Sequence, residues 1–306
     1  MFLSGHIVWR ASPLIHDFGF FKLTWYGLLF MSGFVIGAFI LRRVFRAEQV
    51  NPDWVDRLTL YLIPATVLGA RLGHCLFYDW AYFSRHPLEI FIAFPWAGLA
   101  SHGATVGILL ASWLFSRNYK FDYLWLLDRL AVVVAPGLAG IRLGNLLNSE
   151  IIGRETTVPW AFRFARYDQI HHLQTTIPTQ LRHPTQLYEA LFYLLLFGLS
   201  YGLWRQYQRQ TPRGLLVGLF VTLLFSFRFL IEFLKENQVR FEDELPLNMG
   251  QLLSIPLVLA GIWILLRAGK QAGNPHGYAP RDLSWREDQQ VRQGDLASSA
   301  ERGNPA

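Results

Sequence analysis

The chain has 306 residues, 52% of them hydrophobic, 15% aromatic and only 16% charged. That balance excludes an ordinary soluble domain, and several apolar runs reach the roughly 20 residues that cross a bilayer. The net charge of +6 does not point to nucleic acid, because the basic residues sit mostly in short loops between apolar spans, where they act as topology signals. Cys75 is the only cysteine, so it has no internal disulfide partner and reads as a small core residue. No cysteine/histidine ligand spacing appears, so no metal and no cofactor is expected.

Residues 1–20 mix aromatics with Gly, Pro and His, as at a membrane interface, and carry no cleavable signal pattern. Seven spans follow: Leu23–Leu41, Leu58–Tyr78, Ala97–Phe115, Tyr123–Leu147, Gln186–Trp204, Gly214–Leu234 and Met249–Leu266. An amphipathic Leu88–Phe94 sits between the second and third. The polar segment 148–184 contains the alternating WAFRF, which suggests short β-structure or an interfacial lid. The expected architecture is an all-α integral membrane protein of about seven helices. It forms one membrane domain over 1–269, with 148–184 as a small head, and a polar, disordered tail over 270–306. Pro64, Pro136 and Pro256 lie within spans, where neighbouring helices re-satisfy the backbone.

Arg42, Arg43 and Arg46, then Arg117 and Lys120, then Arg205, Arg209 and Arg213, and finally Arg267 and Lys270 all end spans on one side. The excess of positive charge makes that side cytoplasmic. The N-terminus and 148–184 then lie outside and the C-terminus inside.

With that topology the intramembrane polar residues share a depth. Arg71 and His74, His102, Arg142 and Asn145, and Arg228 and Glu232 all fall in the outer half of their spans. Ionisable groups within spans mark functional sites by default. The densest group is Ala139–Arg154, AGIRLGNLLNSEIIGR. Its spacing puts Arg142, Asn145 and Ser149 on one helical face. A guanidinium and amide donors at a membrane boundary suit a phosphate head group. The alternative reading of each residue is helix–helix glue or snorkelling.

Arg142 and Arg228 are candidate phosphate clamps, with Glu232 four residues after Arg228 and able to orient it. His102 is a candidate general base or a packing histidine. Asn145 and Asn148 are candidate donors to phosphate or glycerol oxygens, or interhelical bonds. Tyr26 is a head-group donor or an interface-belt tyrosine. His183 shapes the turn before Pro184. Glu189, an acid inside an apolar helix, needs a partner, and Arg71 is the one expected. A lipid transporter or scramblase would need a polar path through both leaflets, whereas the inner half is dry apart from Asp128 and Arg129. An intramembrane protease would need a nucleophile motif or paired aspartates that are absent.

The pieces WYG at 25–27, GARLGH at 69–74, SHGA at 101–104, RLGNLLNSEIIGR at 142–154, RHPTQLYEA at 182–190, RFLIEF at 228–233 and MGQLLSIP at 249–256 resemble the prolipoprotein diacylglyceryl transferases, over about Trp25 to Leu266. The resemblance implies seven membrane helices in a bacterial inner membrane with the N-terminus outside. It implies transfer of the diacylglyceryl group of phosphatidylglycerol to the lipobox cysteine thiol of preprolipoproteins, with thioether formation and release of glycerol phosphate. It carries the essential positions onto Tyr26, His102, Arg142, Asn145, Glu150, Gly153, Arg228 and Glu232. His102 or Glu150 is then the candidate base. The chain departs from the pattern at Ile141 and Ala104, where glycines are usual. Leu224, Phe225 and Phe227 stand where a tyrosine is often found before the Arg228 position, so that hydroxyl is missing or supplied elsewhere.

Overall fold

The structure, a computed structural model, describes residues 2–3, 6–92, 98–170, 180–236 and 246–270. In chain order the elements are β1 Phe2–Leu3, β2 His6–Trp9, β3 Leu14–Asp17, β4 Lys22–Thr24, α1 Trp25–Ala47, α2 Trp54–Phe77, α3 Trp80–Phe83, α4 Glu89–Ile92, α5 Ser101–Tyr119, α6 Tyr123–Asn148, β5 Phe162–Phe164, α7 Ala165–Ile170, α8 Thr185–Tyr207, α9 Leu215–Ile231 and α10 Met249–Gly269. Among the described residues six helices, α1, α2, α6, α8, α9 and α10, are long and apolar enough to cross a membrane. The third expected span is the 19-residue α5, which is not one of those six. Of the expected amphipathic Leu88–Phe94, only 88–92 is described, and the expected tail lies outside the described residues apart from Lys270.

The described residues fall into two units. The first holds those up to 39, 127–207 and 211–270. Within it, apolar helices pack without a hydrophobic driving force because small residues let backbones touch. Gly33 of α1 meets Gly137 of α6, where an added Cβ would lie 2.9 Å from the Gly137 Cα. Ala131 and Ala135 of α6 pack with Leu196 of α8 and Phe220 of α9. One end of α9 is fixed by Asp128 of α6, whose carboxylate accepts from the Gly214 and Val217 N–H groups at 2.8 Å each. These are orphan donors of a helix start, and a charged acceptor satisfies them well. At the start of α10, Asn248 and Gln251 form a reciprocal capping box.

The first unit also carries the small sheets. Strand β2 pairs antiparallel with β1 and parallel with β5, with Ile7 opposite Phe162. Of WAFRF, the last three residues, Phe162–Phe164, are a strand. The N-terminal residues, expected only as interfacial chain, are strands too, and β3 pairs with β4 as a hairpin. Ile7 and Trp9 pack with Leu146, Ile152, Phe162 and Phe164. The Trp9 indole donates to the Leu146 carbonyl at 2.9 Å, so the sheet is tied to the last turn of α6.

The second unit, residues 40–126 and 208–210, is organised by α2 and α5. Gly69 and Gly73 face Gly103 and Gly107, and a Cβ on Gly103 would sit 2.1 Å from the Gly69 carbonyl oxygen. Backbone on backbone at this spacing is the small-residue mode of membrane helix association. Phe45, Trp54, Phe115, Phe121 and Trp125 form a ring cluster in the same unit.

Candidate active site

The site begins where α6 ends. Arg142 sits nearly two turns before that end, 13% exposed at its side chain, and donates to Asn145 Oδ1 at 3.3 Å. Spacing of three on a helix brings these two together, as the sequence predicts. Ser149 does not join that face. The helix stops at Asn148, and Ser149 and Ile151 both take left-handed backbones, with φ of 55° and 56°. A positive φ is costly for a β-branched residue and persists only where surroundings fix it. Here α8 does so: Thr185 Oγ1 donates to the Ile151 carbonyl at 3.2 Å and Gln186 Nε2 to the Glu150 carbonyl at 2.7 Å. Held this way, Glu150 turns back over α6. Its Oε1 accepts from Asn145 Nδ2 at 2.8 Å and Asn148 Nδ2 at 3.0 Å.

A line of alternating charge runs on from Arg142. Its guanidinium pairs with Glu189 at 3.2 Å. The same Glu189 oxygen takes Lys235 Nζ at 3.1 Å, and Lys235 reaches Glu232 at 3.2 Å. Glu232 in turn pairs with Arg228 at 3.7 Å and accepts from Asn248 Nδ2 at 3.3 Å. The partner expected for Glu189, Arg71, is therefore wrong: Arg142 and Lys235 hold it. Arg71 belongs to the second unit, where it donates to the carbonyls of Ile90 and Glu89 and lies over the Phe83 ring. A tertiary pairing of this kind has no signature in sequence spacing.

Three cations, Arg142, Lys235 and Arg228, share two carboxylates along this line. The surplus falls at Arg228, which is 34% exposed at its side chain and whose 3.7 Å contact is longer than a hydrogen bond. Lys235 is 2% exposed at its side chain, and burial pulls its ammonium pKa below the usual lysine value. Sequence reasoning missed Lys235. The available signal was a cation three residues after Glu232 at the end of an apolar span. It also missed Gln186, Thr185 and Asn248.

Two glycines set distances here. Gly144 lies under Tyr26, since a Cβ there would be 2.8 Å from the tyrosine ring. This lets the first turn of α1 press onto α6 and puts Tyr26 within electrostatic reach of Glu150 and Arg142. Gly153 is squeezed between two backbones, with the His183 carbonyl at 2.5 Å and the Leu234 carbonyl at 2.9 Å from its notional Cβ. Its N–H donates to His183 O at 3.1 Å, so Gly153 is where the loop after α6 meets the ends of its neighbours. His183 does shape the turn into α8, its carbonyl accepting from the Thr185 N–H at 2.9 Å; burial lowers its pKa, and its Nδ1 lies 3.3 Å from the Tyr188 hydroxyl. A phenolic hydroxyl is present although no tyrosine precedes Arg228 in α9: Tyr193 of α8 donates to Glu189 at 3.5 Å and lies within electrostatic reach of Arg228.

Of the residues grouped by depth, Arg142, Asn145, Arg228 and Glu232 therefore join one connected network. His102 belongs to the second unit, exposed at the first turn of α5, with Phe77 edge-on at 5.0 Å and Tyr78 at 5.9 Å. Arg71 and His74 lie there too, and His74 pairs with Asp79 at 3.0 Å.

A family model described as prolipoprotein diacylglyceryl transferase matches residues 13–267. A phosphatidylglycerol–prolipoprotein diacylglyceryl transferase of Porphyromonas gingivalis is 46% identical over 280 residues, 88% of this chain and 97% of the relative. Proteins of the same name from Chloroherpeton thalassium and Tolumonas auensis are 43% and 42% identical, over 88% and 87% of this chain and 97% and 98% of their own lengths.

Proposed function

The chain belongs to the prolipoprotein diacylglyceryl transferase family, and from that premise we propose that it moves the diacylglyceryl group of phosphatidylglycerol onto the lipobox cysteine thiol of a preprolipoprotein. The observation that carries the reading is the line of ion pairs that starts at Arg142, next to the amide-held Glu150, and ends at the one-third-exposed Arg228 with a cation in excess of the carboxylates along it. A lipid phosphate diester carries one negative charge, and the glycerol phosphate that leaves carries nearly two, so the transition state gains charge on phosphate oxygens. Arginine forks stabilise that gain when they are fixed before reaction. Glu189 and Glu232 do the fixing.

The thiol has a reference pKa of about 8.5 and attacks as thiolate. Its sulfur bonds to the glyceryl carbon that bears the phosphate ester. The carbon–oxygen bond breaks as the carbon–sulfur bond forms, and glycerol phosphate departs with the electron pair. The thiol proton goes to His102 or Glu150. Tyr26, Asn145 and Asn148 hold phosphate or glycerol oxygens, and Gly153 and Glu232 position the groups around them. No cofactor takes part. The protein works as a multi-pass bacterial membrane enzyme, and its arginine-rich loops support a cytoplasmic C-terminus and an extracytoplasmic N-terminus.

The test uses purified enzyme in detergent with phosphatidylglycerol and a lipobox peptide, following peptide mass and glycerol phosphate release. The expected result is a diacylglyceryl mass gain that disappears when the peptide cysteine is serine. Lipid binding without transfer would overturn the reading in favour of transport.

A further inference from the structure

The hairpin formed by β3 and β4 ends in a turn of unusual composition. Tight turns ordinarily carry Gly, Pro, Asn, Asp and Ser. Here the turn is Phe18-Gly19-Phe20-Phe21, closed by the Phe18 N–H on the Phe21 carbonyl at 3.0 Å. Gly19 supplies the left-handed position at φ 82°, and its N–H donates to Asp17 Oδ1 at 2.9 Å. The backbone is thus fully organised, yet the side chains it presents are three phenylalanines. Phe20 is 93% exposed, Phe18 53% and Phe21 50%. Behind them the rim is polar, with Lys22 and Asp17 paired at 3.8 Å.

The hairpin is joined rigidly to a membrane helix. Thr24 ends β4, Trp25 begins α1, and the Trp25 N–H donates to the Pro13 carbonyl at the hairpin base at 3.0 Å. Strands rise about 3.3 Å per residue, so the tip lies within about 15 Å of the helix start. The exposed large apolar side chains of α1 are Trp25, Leu28, Met31, Val35, Ile36 and Phe39, which cluster at helical spacing on one face. In a spanning helix that face meets acyl chains. Ile15 and the three phenylalanines extend the same apolar sequence beyond the helix end.

We propose that the β3–β4 hairpin is a membrane-inserted wedge whose Phe18, Phe20 and Phe21 enter the acyl-chain region of the leaflet that receives the N-terminal end of α1. The Lys22–Asp17 pair stays among the head groups, as a polar rim behind an apolar face does in interfacial segments. The wedge fixes the depth of Trp25 and hence of Tyr26, the first aromatic hydroxyl of α1. This inference does not depend on the transfer chemistry.

Site-directed spin labelling tests it. In a Cys75→Ala background, Phe20→Cys is labelled and the full chain is placed in phosphatidylglycerol/phosphatidylethanolamine vesicles. Collision rates are compared for oxygen, which partitions into lipid, and a nickel chelate, which stays in water. Labels at Val35→Cys and Glu155→Cys give the lipid and water references. The expected result is an oxygen-to-nickel ratio above one at residue 20, on the side of the Val35 label. A ratio below one, like that of the Glu155 label, overturns the proposal. So does low collision with both, which means that another part of the chain covers the tip. Phe18→Cys and Phe21→Cys repeat the measurement if Phe20→Cys does not fold.

Discussion

Helix α6 carries buried charge at both ends, and the two ends use it differently. Near its start, Asp128 and Arg129 are fully buried, and the Asp128 carboxylate accepts from the N–H groups that open α9. Near its end, Arg142 pairs with a carboxylate that Lys235 also claims, and the line finishes at the one-third-exposed Arg228. One charge is absorbed by the fold. The other belongs to a network with a cation left over and an open end. A buried ion pair is therefore weak evidence for a site on its own. Surplus and exposure distinguish the two.

The comparison can be broken first at the proton. His102→Gln and Glu150→Gln separate the two candidate bases. Loss of the true base lowers turnover at neutral pH by about 10²–10⁴-fold and moves the rate's rise toward the thiol's own ionisation. The other variant keeps the wild-type pH profile, and equal profiles for both variants would remove the two-candidate scheme. Next comes Arg142→Ala, for which kcat should fall about 10²–10³-fold in the peptide assay. Lys235 still holds Glu189, so the variant should remain folded by thermal unfolding in detergent. Full activity in that variant would sink the phosphate-clamp reading.

The opposite end of α6 should respond in the opposite way. Asp128→Asn costs about 1–3 kcal/mol of stability, because charged acceptors for two buried N–H groups are weakened. Turnover per folded molecule stays near wild type. A Tm drop with unchanged specific activity checks this, and a specific loss of kcat would erase the contrast. The smallest effect is expected at Gln186→Met, which removes the donor to the Glu150 carbonyl. One hydrogen bond of about 1 kcal/mol predicts roughly a five-fold lower kcat, with little change in KM for the lipid.

Local relations were legible in the sequence. Arg142 and Asn145 meet because three residues on a helix always do, and Arg228 and Glu232 meet at a spacing of four. Six of the seven expected spans were legible from apolar length, with ends off by several residues, whereas the third is the helix α5, which is not one of the six able to cross. Glu150 was visible as a candidate, but its approach to Asn145 and Asn148 was not, because it depends on two left-handed residues that no propensity favours. Their stabilisers come from Thr185 and Gln186, more than thirty positions away. The Glu189 partners were misread for the same reason. Short N-terminal strands were missed because their pairing, not their composition, makes them strands.

The parallel pairing of β2 with β5 carries a consequence for synthesis. Ile7 lies opposite Phe162, so its partner is made 155 residues later (162 − 7). At about 5–20 residues per second the ribosome needs about 8–30 s to cover that interval. During this time α1 and α2 must already be entering the bilayer, while β2 waits with one edge open. An open edge is a hazard for mispairing between nascent chains. The sheet is therefore completed only after four long helices have been made, although its β1–β2 pair precedes them all.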